Sequence, residues 1–124
     1  MWCSETMSRV ELGLGALTEA TITKFVYDDL REEIALSSEK IVSIKRSALV
    51  NNVEIDLLVE TDKSVYVVEV KVKPRQRDVD ELVKKAEEVQ KVFRKLVKLV
   101  LAGARVGREV VAYARSRNAN VYTY

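Results

Sequence analysis

Glu69 and Lys71 stand two residues apart inside Val65-Tyr-Val-Val-Glu-Val-Lys-Val-Lys73, a run otherwise built of Val and Tyr up to its last residue, Lys73. So many β-branched residues predict a strand, in which successive side chains point to opposite faces. Val65, Val67, Glu69, Lys71 and Lys73 then share one face, and Tyr66, Val68, Val70 and Val72 the other, so Glu69 and Lys71 lie side by side. A strand apolar on both faces predicts the buried centre of a sheet, where an acid and a base need a reason to be present. Metal-dependent chemistry is one reason. A structural ion-pair system between neighbouring strands is another.

Composition narrows the chemistry. The 124 residues contain no His and one Cys, Cys3, which excludes an internal disulfide and zinc sites built from Cys and His. Ser-His-Asp, Cys-His and His-based acid–base schemes are excluded too, leaving carboxylates, Lys, Arg and Tyr. A bound metal would be hard and oxygen-liganded. The candidate carboxylates beside Glu69 are Asp56 and Glu19.

The elements that must position them follow from periodicity. Leu17 to about Leu36 predicts a helix with the stripe Ile22, Val26, Leu30 and Ile34; Thr18, with Thr21 or Glu19 nearby, offers start chemistry. Glu19 falls near the first turn on the inward side, where a negative charge also suits the helix dipole. Ser37-Ser38 ends the helix, Lys40 to Leu49 alternates as a strand, and Asn51-Asn52 predicts a turn. Val53–Glu60 predicts the next strand, with Ile55, Leu57 and Val59 on one face and Glu54, Asp56, Leu58 and Glu60 on the other. Thr61–Ser64 predicts a hairpin loop into the Glu69 strand. Ordinary hairpin register then brings Asp56 and Glu69 to the same end of adjacent strands, whereas a one-residue slip would turn Asp56 away.

Pro74 stops the Glu69 strand. Asp78 and Glu81 have capping-box spacing ahead of a long helix with the stripe Val79, Leu82, Ala86, Val89, Phe93 and Leu96. Lys84, Lys85, Glu88, Lys91 and Lys95 fall outside that stripe, and Gln90 at its edge. Val97–Ala102 predicts a buried strand, Gly107 to about Arg117 a short helix, and Asn120–Tyr124 a last strand. The order is α-β-β-β-α-β-α-β in a single domain, residues 1–124, with a loose segment over 1–12 and a break at Gly13-Leu-Gly15. No apolar stretch approaches the ~20 residues that cross a bilayer. The first eight residues lack the basic start and apolar core of a secretory signal, so a cytoplasmic location is expected.

The net charge of +2 hides an asymmetry. Residues 1–70 hold seven Lys and Arg against thirteen Asp and Glu, while residues 71–124 hold fourteen against six. Lys71, Lys73, Arg75, Arg77, Lys84 and Lys85 form a basic strip directly after the Glu69 strand. Such a strip either guides a polyanion such as nucleic acid or is the solvated face of a helix.

That element order, with Glu19 on the first helix, Asp56 on the second strand and Glu69-Val70-Lys71 on the third, resembles the PD-(D/E)XK nuclease superfamily. Leu17-Thr-Glu19, Val53-Glu-Ile-Asp-Leu-Leu-Val59, Val68-Glu-Val-Lys71 and Val121-Tyr-Thr-Tyr124 look, more narrowly, like a group of small archaeal proteins assigned to it. The resemblance spans about Gly13 to Tyr124 and implies a restriction-endonuclease-like, three-layer α/β core with a mixed central sheet. It also implies that Asp56 and Glu69 bind Mg2+ or Mn2+, that Glu19 and the carbonyl of Val70 complete the ligand set, and that Lys71 positions or activates water. Ile55 stands where the superfamily name has Pro.

The implied function is metal-dependent hydrolysis of phosphodiester bonds, in DNA, with Lys73, Arg75, Arg77, Lys84 and Lys85 contacting the nucleic acid. The alternative is a catalytically inactive module of the same fold that binds nucleic acid or a protein. A homodimer is an expected arrangement, since one small site cuts one strand; Trp2, Tyr113, Tyr122 and Tyr124 are candidates for its interface or for ordinary packing.

Overall fold

The computed structural model describes residues 17–124; the segment predicted loose over 1–12, the Gly13–Gly15 break, Trp2 and Cys3 lie outside the described residues. Helix α1 is Glu19–Leu36, followed by strands β1 (Ile41–Val50), β2 (Val53–Thr61) and β3 (Ser64–Val70). Helix α2 (Gln76–Val92), β4 (Leu96–Gly103), α3 (Arg108–Ser116) and β5 (Ala119–Thr123) complete the predicted order. The five strands lie in sequence order across one sheet. Pairing is antiparallel for β1–β2 and β2–β3, and parallel for β3–β4 and β4–β5.

Two apolar layers sandwich that sheet. Ile22, Val26, Leu30 and Ile34, spaced four apart on α1, pack on Leu57, Val59, Tyr66, Val68, Val70, Val100 and Ala102. On the opposite face Val79, Leu82 and Val89 of α2, with Val110 and Ala114 of α3, cover Leu58, Val65, Val67 and Leu101. All seven residues of β3 are buried, as a central strand covered on both faces requires. Among the described residues no helix is long and apolar enough to cross a membrane.

Local chemistry sets the ends. The Thr18 hydroxyl accepts the Thr21 N–H at 3.2 Å and caps α1, which starts two residues later than Leu17. Asn51 and Asn52 both take positive φ, 52° and 68°, the two-residue turn that matches the twist of antiparallel strands. Helix α2 begins at Gln76, earlier than Asp78–Glu81 spacing implied. Asp78 occupies its first turn, and its carboxylate accepts the Arg75 N–H at 2.8 Å. At the other end Gln90 donates to the carbonyls of Phe93 and Lys95, closing the turn. Leu96 therefore leaves the predicted helical stripe and opens β4, where it is exposed.

Alternation fails at two places, both near Asp56. Ile55 packs under α2 with Leu58, not with Leu57 and Val59 under α1. Ser47, flanked by the pairs Arg46↔Leu57 and Ala48↔Ile55, has φ 49°. A left-handed residue there rotates the far end of the hairpin, so Ala48, Val50 and Ile55 all turn to the α2 side.

The second departure is that β3 stops at Val70, leaving Lys71 and Lys73 outside the strand. Backbone bonds to the end of β4 fix the exit instead. Lys71 N–H donates to Ala102 O at 3.0 Å, and Val72 O accepts from Ala104 and Arg105 N–H, both at 2.9 Å. Gly103 permits this approach, for a Cβ there would lie 2.7 Å from Pro74 Cδ and 2.8 Å from Lys71 O. Gly103→Ala is accordingly expected to lower stability by about 1–3 kcal/mol, as overpacking does. Urea unfolding measures it, and an unchanged midpoint would show that the exit segment is free to move.

The three tyrosines named for an interface are engaged within the chain. Tyr113 donates to Asp80, Tyr122 to Glu33, and Tyr124 to Asp29 at 2.6 Å.

Candidate functional site

Pairing between β2 and β3 ends at Leu57↔Val68, and one more step in the same register would set Asp56 opposite Glu69. In place of a further ladder bond, Asp56 Oδ2 accepts the N–H of Val70 at 2.8 Å. A side-chain carboxylate has replaced a backbone carbonyl at the end of the ladder, which satisfies a buried donor and fixes the acid against β3. Its Oδ1 has no hydrogen-bond partner among the described residues. Asp56 and Glu69 thus sit at the same end of adjacent strands, as the hairpin argument required, but not on one face: Asp56 was expected to share the face of Leu58, whereas the irregularity at Ile55 and Ser47 turns it to the α1 side, into a pocket with Glu19 and Thr23.

Asp56 and Val70 line a pocket of about 230 Å³ with Glu19, Ala20, Thr23, Arg46 and Ser47. Glu19 is the first residue of α1 and is exposed, so the helix start delivers it to the pocket mouth. Thr23 follows one turn later, and its hydroxyl donates to Glu19 O at 2.7 Å.

Glu69 lies on the other side of this arrangement. It is 4% exposed and faces α2, where Lys85 Nζ meets its Oε1 at 3.0 Å. Burial pushes the Glu69 carboxyl above the ordinary range; the Lys85 hydrogen bond pulls it down, the field of Asp56 pushes it up, and the net direction is up. Burial alone would lower the Lys85 ammonium, yet the hydrogen bond to Glu69 and the fields of Glu69, Asp56 and Glu81 outweigh it, so Lys85 is held up. The two carboxylates repel one another, and Lys85 supplies the cation paired with Glu69.

Lys85 is a correction to the basic strip. It lies three residues after Leu82 and four before Val89, at the border of the buried stripe, so its stem covers apolar surface and its amine reaches inward. Lys73, Arg75, Arg77 and Lys84 are exposed as expected, and Lys71 is half-buried at the exit of β3. The four ion pairs among the described residues use Lys85, Lys91, Lys95 and Lys98. The cations around the β3 exit are therefore not neutralised by an ion pair among the described residues.

No family model matches this chain, and no curated protein does. Its fold is similar to the crystal structure of a repair endonuclease from Pyrococcus abyssi, with a TM-score of 0.67 over 87% of this chain and 13% identity. The fold is restriction-endonuclease-like. The match covers 47% of that protein, so the chain spans about half its length.

Within this restriction-endonuclease-like sheet the donors near Asp56 are all oxygen, the type that suits Mg2+ or Mn2+. Among the described residues no group of three or more acidic side chains is gathered closely enough to hold a metal. Two carboxylates, Glu19 and Asp56, do share one pocket with Val70. That set fits a cation which keeps several of its waters, as Mg2+ does when one or two carboxylates bind it. Arg46, Ser47 and Thr23 were missed from sequence. A two-residue turn at Asn51-Asn52 already sets Ser47 opposite Asp56, and Thr23 is four residues from Glu19, so both signals were present.

Proposed function

We propose that this protein is a metal-dependent nuclease that hydrolyses phosphodiester bonds in DNA. The observation carrying this is the Asp56 carboxylate, held by the Val70 N–H where β2–β3 pairing stops, with Glu19 lining the same pocket. Glu69 precedes it on β3 and Lys71 follows at the exit. The fold likeness to a protein titled a repair endonuclease supports the same reading.

In this reading Asp56, Glu19 and the Val70 carbonyl would hold Mg2+ or Mn2+, while Glu69, paired with Lys85 on the α2 side, would add its charge to the field at Asp56. The ion, when bound, lowers the pKa of a coordinated water and offsets charge developing on the phosphate. Lys71 orients the attacking water and places a point charge beside the phosphate. Lys73, Arg75, Arg77 and Lys84 draw the sugar-phosphate backbone across the β3 exit.

The test is cleavage of labelled duplex, flapped and single-stranded DNA with Mg2+ or Mn2+ and with EDTA. Cleavage is expected with metal only, and Lys71→Ala is expected to lower the rate on the order of 10²-fold. Equal rates in EDTA, or in Lys71→Ala, would remove the basis for the mechanism. A second reading, an inactive nucleic-acid-binding module of the same fold, is favoured by the Lys85–Glu69 pair, which occupies one of the required carboxylates. Calorimetry with Mn2+ separates the two, since the inactive module binds DNA without binding the ion.

A further inference from the structure

Two connections that are far apart in sequence meet beside the β3 exit. Lys73, Pro74 and Arg75, between β3 and α2, with Gln76 at the start of α2, and Arg105 and Gly107, between β4 and α3, line a cleft of about 490 Å³. The bonds from Ala104 and Arg105 N–H to Val72 O tie one connection to the other, so the cleft walls hold a fixed spacing. Lys73, Arg75 and Arg105 are exposed, and none forms an ion pair among the described residues. Glu109 also lines the cleft, but its carboxylate lies against Gly107, 2.7 Å from where a Cβ would be, at the start of α3.

We propose that this cleft is a phosphate seat for the backbone of a DNA strand whose neighbouring phosphate lies at Asp56 and Lys71, and that Arg105 is its central contact. The inference rests on the nucleic-acid reading above and extends it to a segment outside the basic strip. Three cations from two segments, none of them ion-paired among the described residues, converge around one concavity and bind an anion better than the same charges spread over a helix face. Arg105 and Arg75 offer planar forks that match phosphate oxygens, and Lys73 adds a point charge. No base edge is engaged, so the seat takes any sequence.

Anisotropy of a fluorescein-labelled DNA duplex, titrated in EDTA over a series of salt concentrations, tests this directly. Each phosphate contact removed lowers the slope of log K against log salt by about 0.9 for duplex DNA. Arg105→Gln and Lys73→Gln are each expected to lower the slope by that amount, Glu109→Gln to tighten binding, and Arg94→Gln, at the opposite end of β4, to leave the slope unchanged. A wild-type slope near zero, or an Arg105→Gln slope equal to wild type, overturns the seat. The nuclease reading is scored separately with the same proteins. Metal-dependent cleavage with no Arg105 effect leaves the nuclease and removes the seat, whereas an Arg105-dependent slope without cleavage leaves the seat and removes the nuclease.

Discussion

Asp56→Asn is expected to abolish metal-dependent cleavage, by on the order of 10²-fold or more, while the protein stays folded. The side-chain oxygen that accepts the Val70 N–H at 2.8 Å survives in asparagine, so the end of the β2–β3 ladder keeps its last bond. What disappears is the negative charge beside Glu19, and with it the attraction for a divalent cation. Asp56→Ala separates the two roles. It removes the acceptor as well, leaving the N–H of a buried residue unpaired at a cost of about 1–3 kcal/mol. Rates from a cleavage assay and midpoints from urea unfolding, taken on both variants, therefore differ in pattern. Wild-type cleavage by Asp56→Asn would show that the acid serves only the strand end, and the proposed chemistry would lose its anchor.

The architecture was legible because its signals are local. Four apolar residues at four-residue steps on α1, an Asn-Asn turn, and unbroken β-branched runs each specify an element without help from the rest of the chain. Side-chain alternation also placed Glu69 on one face and Val68 and Val70 on the other, as found. The misses arise where a distant segment decides. Val-Lys-Val-Lys continues the strand pattern past Val70, but the chain leaves the ladder because Pro74 packs on Gly103, twenty-nine residues away. Ile55 changes face because Ser47, on the neighbouring strand, adopts a positive φ that no propensity assigns to serine.

Site residues follow the same division. The place of Asp56 at the strand end followed from register, but its face and its bond with Val70 did not, since neither a positive φ on the next strand nor a side chain standing in for a ladder carbonyl leaves a trace in periodicity. Lys85 falls outside the apolar stripe of α2, which alone places it on the solvent side. Only Glu69, sixteen residues back and facing α2, makes the inward position the better one.

Lys85→Met provides the sharpest stability test. Lys85 is about one-fifth exposed and Glu69 one-twentieth, so water screens the pair only in part. Removing the amine leaves a buried carboxylate without its nearest cation, an expected loss of about 2–3 kcal/mol after allowing for the exposed share of Lys85. The pH dependence has a definite sign. Glu69 in the fold already sits above the ordinary glutamate range, and without Lys85 it moves higher, so the folded state binds its proton more tightly than the unfolded chain does. Its contribution is fully present below the unfolded pKa and is lost as pH rises through the folded one. Thermal unfolding should therefore show a small deficit at acidic pH, where Glu69 is protonated in both states, and a growing one toward neutrality. Glu69→Gln combined with Lys85→Met leaves no charge to strand, and should recover much of the loss, with the two single effects failing to add. If Glu69 is also a metal ligand, Mn2+ should raise the melting temperature of Lys85→Met more than that of wild type, because the ion no longer competes with an ammonium for the same oxygens. A deficit independent of pH, or additive single effects, would mean that Lys85 contributes packing alone.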